Sequence, residues 1–183
     1  RAEPGGFQAV YFGYTNCPDF CPTTLSDVKL ARSRLADPDR GQVAMVTVDP
    51  ERDFIANPDL CGDEIVLSCY VRSFVPDAHA LGTDDPAALA TVAAPFGAAY
   101  NVTKSGDAVV VEHSTYLYAG NDRGEIVVTW QFGIAIDDLV SDMQALLDAI
   151  AQMPLSTDAQ RIFHGRGGLH PGCEHWVLDA YPP

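Results

Sequence analysis

The chain has 183 residues, 47% hydrophobic and 20% charged, the profile of one soluble globular domain large enough to bury a core without staples. Its formal net charge of -14 leaves no basic surface to neutralise phosphates, which argues against a nucleic-acid partner. No apolar run approaches the roughly 20 residues needed to cross a bilayer, and no signal peptide opens the sequence.

After a polar lead-in from Arg1 to Gly6, the apolar run Phe7 to Tyr14 predicts a buried strand. It stops at Cys17-Pro18-Asp19-Phe20-Cys21-Pro22, after which Leu25, Val28, Ala31 and Leu35 recur at helical spacing. The expected arrangement is strand, loop, helix, with both sulfurs at the turn. A cysteine near a helix N-terminus lies among unpaired N–H groups at the positive end of the helix dipole, which favours thiolate. Pro18 and Pro22 stiffen the loop and suit a helix start. Such a pair can close a disulfide, exchange one, or chelate a metal, and the spacing does not separate these uses. A mere staple is the poorest explanation, because a bridge enclosing three residues constrains the unfolded chain very little.

Gln42 to Val48, rich in β-branched residues, predicts a second buried strand leading into Asp49-Pro50-Glu51-Arg52-Asp53. Strand, helix, strand implies a parallel pair with a right-handed crossover. Leu60 to Phe74 reads as one helix, which would separate Cys61 from Cys69 by about 12 Å along its axis. Bridging needs Cα atoms within about 7 Å, so Cys173 is the expected partner for one of them. With five cysteines in all, one structural bridge and one unpaired thiol remain beyond Cys17 and Cys21. Ala78 to Gly82 suggests a short strand, and Thr83-Asp84-Asp85-Pro86 opens a helix that runs to Phe96.

Ala108 to Glu112 and Thr115 to Ala119 are strand-like, interrupted at His113-Ser114. Asn121-Asp122-Arg123-Gly124 is a hairpin turn leading into Glu125 to Trp130. Asp137 to Ala151 is an amphipathic helix with Leu139, Met143, Leu146, Leu147 and Ile150 inward. Parallel strands, then an antiparallel hairpin and a closing helix, predict an α/β thioredoxin-like domain over 1–153, a central mixed β-sheet flanked by helices. An irregular C-terminal extension over 154–183 follows. It holds His164, His170, Cys173 and His175, for which local packing or solvation is a simpler expectation than a second metal site.

Three motifs carry a family likeness: Gly13-Tyr14-Thr15-Asn16-Cys17-Pro18-Asp19-Phe20-Cys21-Pro22-Thr23, then Asp49-Pro50-Glu51-Arg52-Asp53, then Val111-Glu112-His113-Ser114 followed by Tyr116. In that order, over most of residues 7–151, they resemble the Sco/SenC family. The resemblance implies a thioredoxin-fold copper protein, usually membrane-tethered, that faces the periplasm, the bacterial exterior or the mitochondrial intermembrane space. It implies a role in metallating the dinuclear copper centre of cytochrome c oxidase. Cys17, Cys21 and His113 would be the copper ligands, with Asp49 in a supporting role. Partners would be the copper-site subunit of the oxidase, and other copper chaperones or thiol-disulfide proteins; the membrane would be met only through an N-terminal anchor absent from this sequence. The family's usual hairpin before the first core strand is almost missing here, and Cys61, Cys69 and the residues after Pro154 are additions.

Residue chemistry fits that expectation. Two thiolates suit Cu(I), and an imidazole suits either copper oxidation state. Zinc could use the same donors but would want a fourth. The leading expectation is a metallochaperone, and its rival a thiol:disulfide oxidoreductase in which Cys17 attacks and Cys21 resolves. A thiol peroxidase is weaker, because no arginine falls within the cysteine loop. A redox or copper sensor would use the same residues. The plain structural alternatives are a strand-end histidine for His113, turn residues for Asp49 and Asp53, core or rim aromatics for Tyr14 and Tyr116, and a solvated charge pair for Glu51-Arg52.

Overall fold

The structure, a computed structural model, describes residues 2–106 and 108–152. Strand β1 (Phe7–Gly13) and strand β2 (Gly41–Thr47) are buried at every position except Gln8 and Gln42. Apolar strands of this kind need cover on both faces, which places them inside a sheet. They pair in parallel, Phe7 opposite Gly41 and Gly13 opposite Thr47, joined by helix α1 (Phe20–Arg32). Strand β3 (His79–Leu81) adds in parallel to β2. On the other side β6 (Leu117–Gly120) pairs antiparallel with β1, and β7 (Ile126–Trp130) antiparallel with β6. The order β3-β2-β1-β6-β7 is the central mixed sheet that the sequence predicts.

Helix α6 (Ile136–Gln152) buries Leu139, Met143, Leu147 and Ile150, one stripe at helical spacing, and packs on α1. Leu146 is only half-buried at the edge of that stripe. Truncating fully buried Leu147 to alanine would cost about 2–5 kcal/mol through lost transfer energy and the cavity left behind. Helix α5 (Pro86–Ala93) starts where Asp85 accepts the Ala87 N–H at 2.9 Å and Pro86 occupies the first turn, then tightens into a 3₁₀ turn over Ala94–Phe96. The turn between β6 and β7 is built on buried Asn121, whose Oδ1 accepts the N–H groups of Arg123 and Glu125, both at 3.0 Å. Among the described residues no helix is long and apolar enough to cross a membrane.

The structure corrects the sequence reading in three places. Residues 60–74 do not form one helix: α3 (Pro58–Cys61) and α4 (Val66–Phe74) are separated at Gly62, whose φ of +60° takes the chain out of helical geometry. The short helix α2 (Pro50–Asp53) precedes them. The break folds Cys61 back until its Cα lies 5.6 Å from that of Cys69, and the two form a disulfide. Cys173 is therefore not their partner; it lies outside the described residues, as do His164, His170 and His175.

The second correction is a strand, β4 (Tyr100–Ser105), which forms a separate two-stranded antiparallel sheet with β5 (Ala108–His113). Third, His113 ends β5, opposite Tyr100, rather than lying in an interruption between strands.

Candidate metal centre

The cysteine loop is built by the end of β1 and the start of α1. The Cys17 N–H donates to the Tyr14 carbonyl at 3.3 Å, closing a turn, and the Cys21 N–H points at the Cys17 sulfur at 3.4 Å. Asp19, the residue before α1, offers no side-chain cap. The sulfur of Cys17 thus takes one of the donors that a helix N-terminus leaves unpaired. Gly13 makes the approach possible, because a Cβ there would stand 2.8 Å from both the Cys21 sulfur and the Tyr11 ring.

Both thiols are reduced and buried, Cys17 at 6% exposure and Cys21 at 0%. At Cys21 burial dominates: the thiol is pushed up to about 12, first by desolvation, with a backbone hydrogen bond with Tyr14 offsetting part of the shift and the Cys17 sulfur adding to it. This reverses the expectation that the helix start would hold Cys21 as a thiolate. A bound cation, by contrast, would favour loss of that proton.

From 92 positions along the chain, the end of β5 brings His113 to the same point, its Nε2 3.8 Å from the Cys21 sulfur. Its Nδ1 lies 2.9 Å from the Ser114 carbonyl oxygen, which can only accept. Nδ1 therefore carries the proton and Nε2 presents its lone pair to the sulfurs, the usual way in which an outer hydrogen bond prepares a histidine ligand. The rings of Tyr14 and Tyr11 meet the imidazole edge-on at 5.6 and 6.0 Å between centroids, which fixes its plane. Tyr11 is fully buried, and desolvation raises its phenol well above its ordinary value, so it serves as a neutral wall.

The donor atoms of Cys17, Cys21 and His113 all lie within 4.8 Å of one another. Two sulfurs and one imidazole nitrogen, buried and close together, suit a soft or borderline ion.

Asp49 lies outside this trio. Its carboxylate, 3% exposed, pairs with Arg52, and its backbone N–H donates to Thr47 Oγ1 at 2.9 Å. Arg52 in turn lies 5.8 Å from the Tyr14 ring centre, so Asp49 reaches the neighbourhood of the donors through Arg52 and Tyr14. An arginine does approach the cysteine loop, but from α2 rather than from the loop, and Asp49 engages it. Glu51 and Arg52 make no direct ion pair with each other: Glu51 bonds Lys104 and Arg52 bonds Asp49. Tyr14 is a buried rim aromatic, whereas Tyr116 is 46% exposed.

The residue that sequence reasoning undervalued is Asp53. Fully buried, it accepts the Thr15 N–H at 3.2 Å, the Thr15 hydroxyl at 2.6 Å and the Thr47 hydroxyl at 2.6 Å. It clamps the cysteine loop to the end of β2. The only sequence signal was the motif itself, because the partners lie 38 and 6 positions away.

The family model described as SCO1/SenC matches residues 2–148. Among curated proteins, the chain is 33% identical over 129 residues to the mitochondrial protein SCO1 of Saccharomyces cerevisiae, covering 67% of this chain and 40% of that protein. It is 33% identical over 125 residues to the human mitochondrial SCO2 homolog, covering 66% and 43%. The chain therefore spans less than half the length of these relatives. Among solved structures it is similar to apo Sco1 from Thermus thermophilus, with TM-score 0.62 and 32% identity over 77% of this chain and 79% of that one. It is also similar to Bradyrhizobium japonicum ScoI with copper bound, with TM-score 0.62 and 26% identity over 77% and 85%.

Proposed function

The chain belongs to the SCO1/SenC family, and we propose that it is a copper carrier in which Cys17, Cys21 and His113 hold the ion as cargo for metallation of the dinuclear copper site of cytochrome c oxidase. The observation that carries this is the convergence of three soft and borderline donors, with the outer nitrogen of His113 already fixed on Ser114. The copper-bound relative supports the choice of ion. Delivery would run by stepwise exchange, with partner donors replacing those of the carrier one at a time, so that the ion is never released to solvent. Asp49, paired with Arg52 beside Tyr14, would support the site from outside.

The proposed location is extracytoplasmic, either the outer face of a bacterial membrane or the intermembrane space, in a protein anchored through its N-terminal side. The Cys61–Cys69 disulfide supports an oxidising compartment. The proposed partner is the copper-site subunit of the oxidase.

A second role rests on the same thiols. Cys17 has some surface exposure and Cys21 has none, so Cys17 would attack a partner disulfide and Cys21 would displace the partner's remaining sulfur. The products would be a Cys17–Cys21 disulfide and a partner dithiol, two electrons and two protons having passed to the partner.

Copper titration of the reduced protein, wild type against His113→Ala, tests the carrier. One tightly bound copper, with Cu(II) affinity weakened by at least about tenfold in the variant, is the expected result. Unchanged binding in the variant, or no tight copper in either protein, would overturn the site in favour of dithiol exchange.

A further inference from the structure

Beside the cysteine loop, α1, the start of β6 and the β7–α6 connection enclose a shallow recess that the proposed metal centre does not use. Buried Val28, Leu117, Trp130 and Leu139 line its floor. Phe132, which lines it, carries the aromatic contact onward: Phe20, between the two thiols in sequence, meets Phe132 edge-on at 4.9 Å. Both are substantially exposed, at 45% and 39%. Contiguous exposed apolar surface marks interaction sites, and aromatic side chains are enriched at protein contacts.

The charge in the recess is of one sign. Asp27 lines it, half-buried, and has no hydrogen bond or ion pair among the described residues. Desolvation alone raises its carboxyl above the ordinary range, the mark of a carboxylate short of a counter-charge. Among the described residues no lysine or arginine lines it. Nearby, Asp19 precedes Phe20, and Asp137 and Asp138 open α6. The closest basic side chains in sequence are Lys29, two positions from Asp27 and so on a different face of α1, Arg32, which is held by Asp77, and Arg34, which is paired with Asp137 at 3.0 Å.

We propose that this recess docks a partner polypeptide through an arginine or lysine side chain that pairs with Asp27, with a neighbouring apolar residue of the partner packed against Phe20 and Phe132. The partner's chemistry follows from complementarity: an uncompensated carboxylate calls for a cation, and the aromatic rim calls for an apolar neighbour. This deepens the copper-carrier reading and rests on it for its purpose, since Phe20 joins the docking surface to the cysteine loop and would hold a recipient beside the cargo.

The test uses the whole reduced chain, ¹⁵N-labelled, titrated with the peptide Ac-Gly-Arg-Phe-Gly-NH2 and with its Glu-Phe counterpart. Saturable shifts at the Asp27, Phe132 and Gly133 amides and the Trp130 indole with the Arg peptide, absent with the Glu peptide and about tenfold weaker to saturate in Asp27→Asn, are expected. Equal response to both peptides, no response, or undiminished binding in Asp27→Asn would overturn the docking site. Contacts placing residues 154–183 in the recess would assign it to the chain's own tail and overturn a partner. Copper titration of the same two proteins separates the readings: Asp27→Asn leaves copper binding unchanged if the carrier reading holds, whereas absence of tight copper in both proteins defeats that reading without touching the peptide result.

Discussion

Asp53 holds Thr15 by two groups at once, accepting its backbone N–H at 3.2 Å and its hydroxyl at 2.6 Å across 38 positions of sequence. Because Thr15 lies two residues before Cys17, the position of the first thiol depends on a carboxylate at the end of α2. Asp53→Ala would strand the Thr15 and Thr47 donors in a buried site and cost about 3 kcal/mol. Asp53→Asn, which keeps one acceptor, would cost less. Urea unfolding of the three proteins measures the difference, and copper affinity should fall with the same order because the loop loses its clamp.

Acid titration separates two carboxyl groups whose pKa values the fold shifts in opposite directions. Arg32 grips Asp77 with two hydrogen bonds at 2.6 and 2.5 Å and holds its carboxyl below the ordinary value. That stabilisation is present above the unfolded pKa and is lost as pH falls through the lower folded one. Burial raises Asp53 despite its hydrogen bonds, so its contribution is largest below the unfolded value and is lost as pH rises through the folded one. Stability measured from pH 7 down to about 3 should therefore fall less steeply in Asp77→Asn and more steeply in Asp53→Asn than in wild type. The Asp77 effect is small, since that side chain is 60% exposed.

Copper binding should release the Cys21 proton, because that thiol is pushed up to about 12 in the empty protein. Apparent Cu(I) affinity should rise by about tenfold per pH unit through the neutral range for this proton alone. A competition titration at several pH values reads the slope, which should fall by about one proton in Cys21→Ser.

Replacing Cys61 and Cys69 together by serine removes a bridge across 8 positions. On the entropy model so short a loop is worth about 2.5 kcal/mol at most. The loss should appear in denaturant unfolding of the double variant with copper stoichiometry unchanged, since neither residue belongs to the donor group.

Legibility followed sequence distance. Cys17 and Cys21 were readable because strand, loop and helix are local and carry their own periodicities. His113 was readable only through its motif, for nothing near it announces the Cys21 sulfur 92 residues away. Strand β4 escaped because it is mostly exposed and polar, so Tyr100–Ser105 shows no buried run. Cys61–Cys69 was misjudged because apolar spacing after Gly62 suggested continuity, whereas the glycine's positive φ ends one helix before the next begins. Asp53 looked like an ordinary turn residue because its burial and its threonine partners are products of the folded sheet.

The hairpin of β4 and β5 shares no ladder with the five-stranded sheet. Tyr100 and Val111 pack against the core, and Lys104 bonds Glu51. An ion held by Cys17, Cys21 and His113 would therefore tie the end of this hairpin to the cysteine loop beside the main sheet. Loading would thus add a cross-link between two sheets that no hydrogen-bond ladder joins.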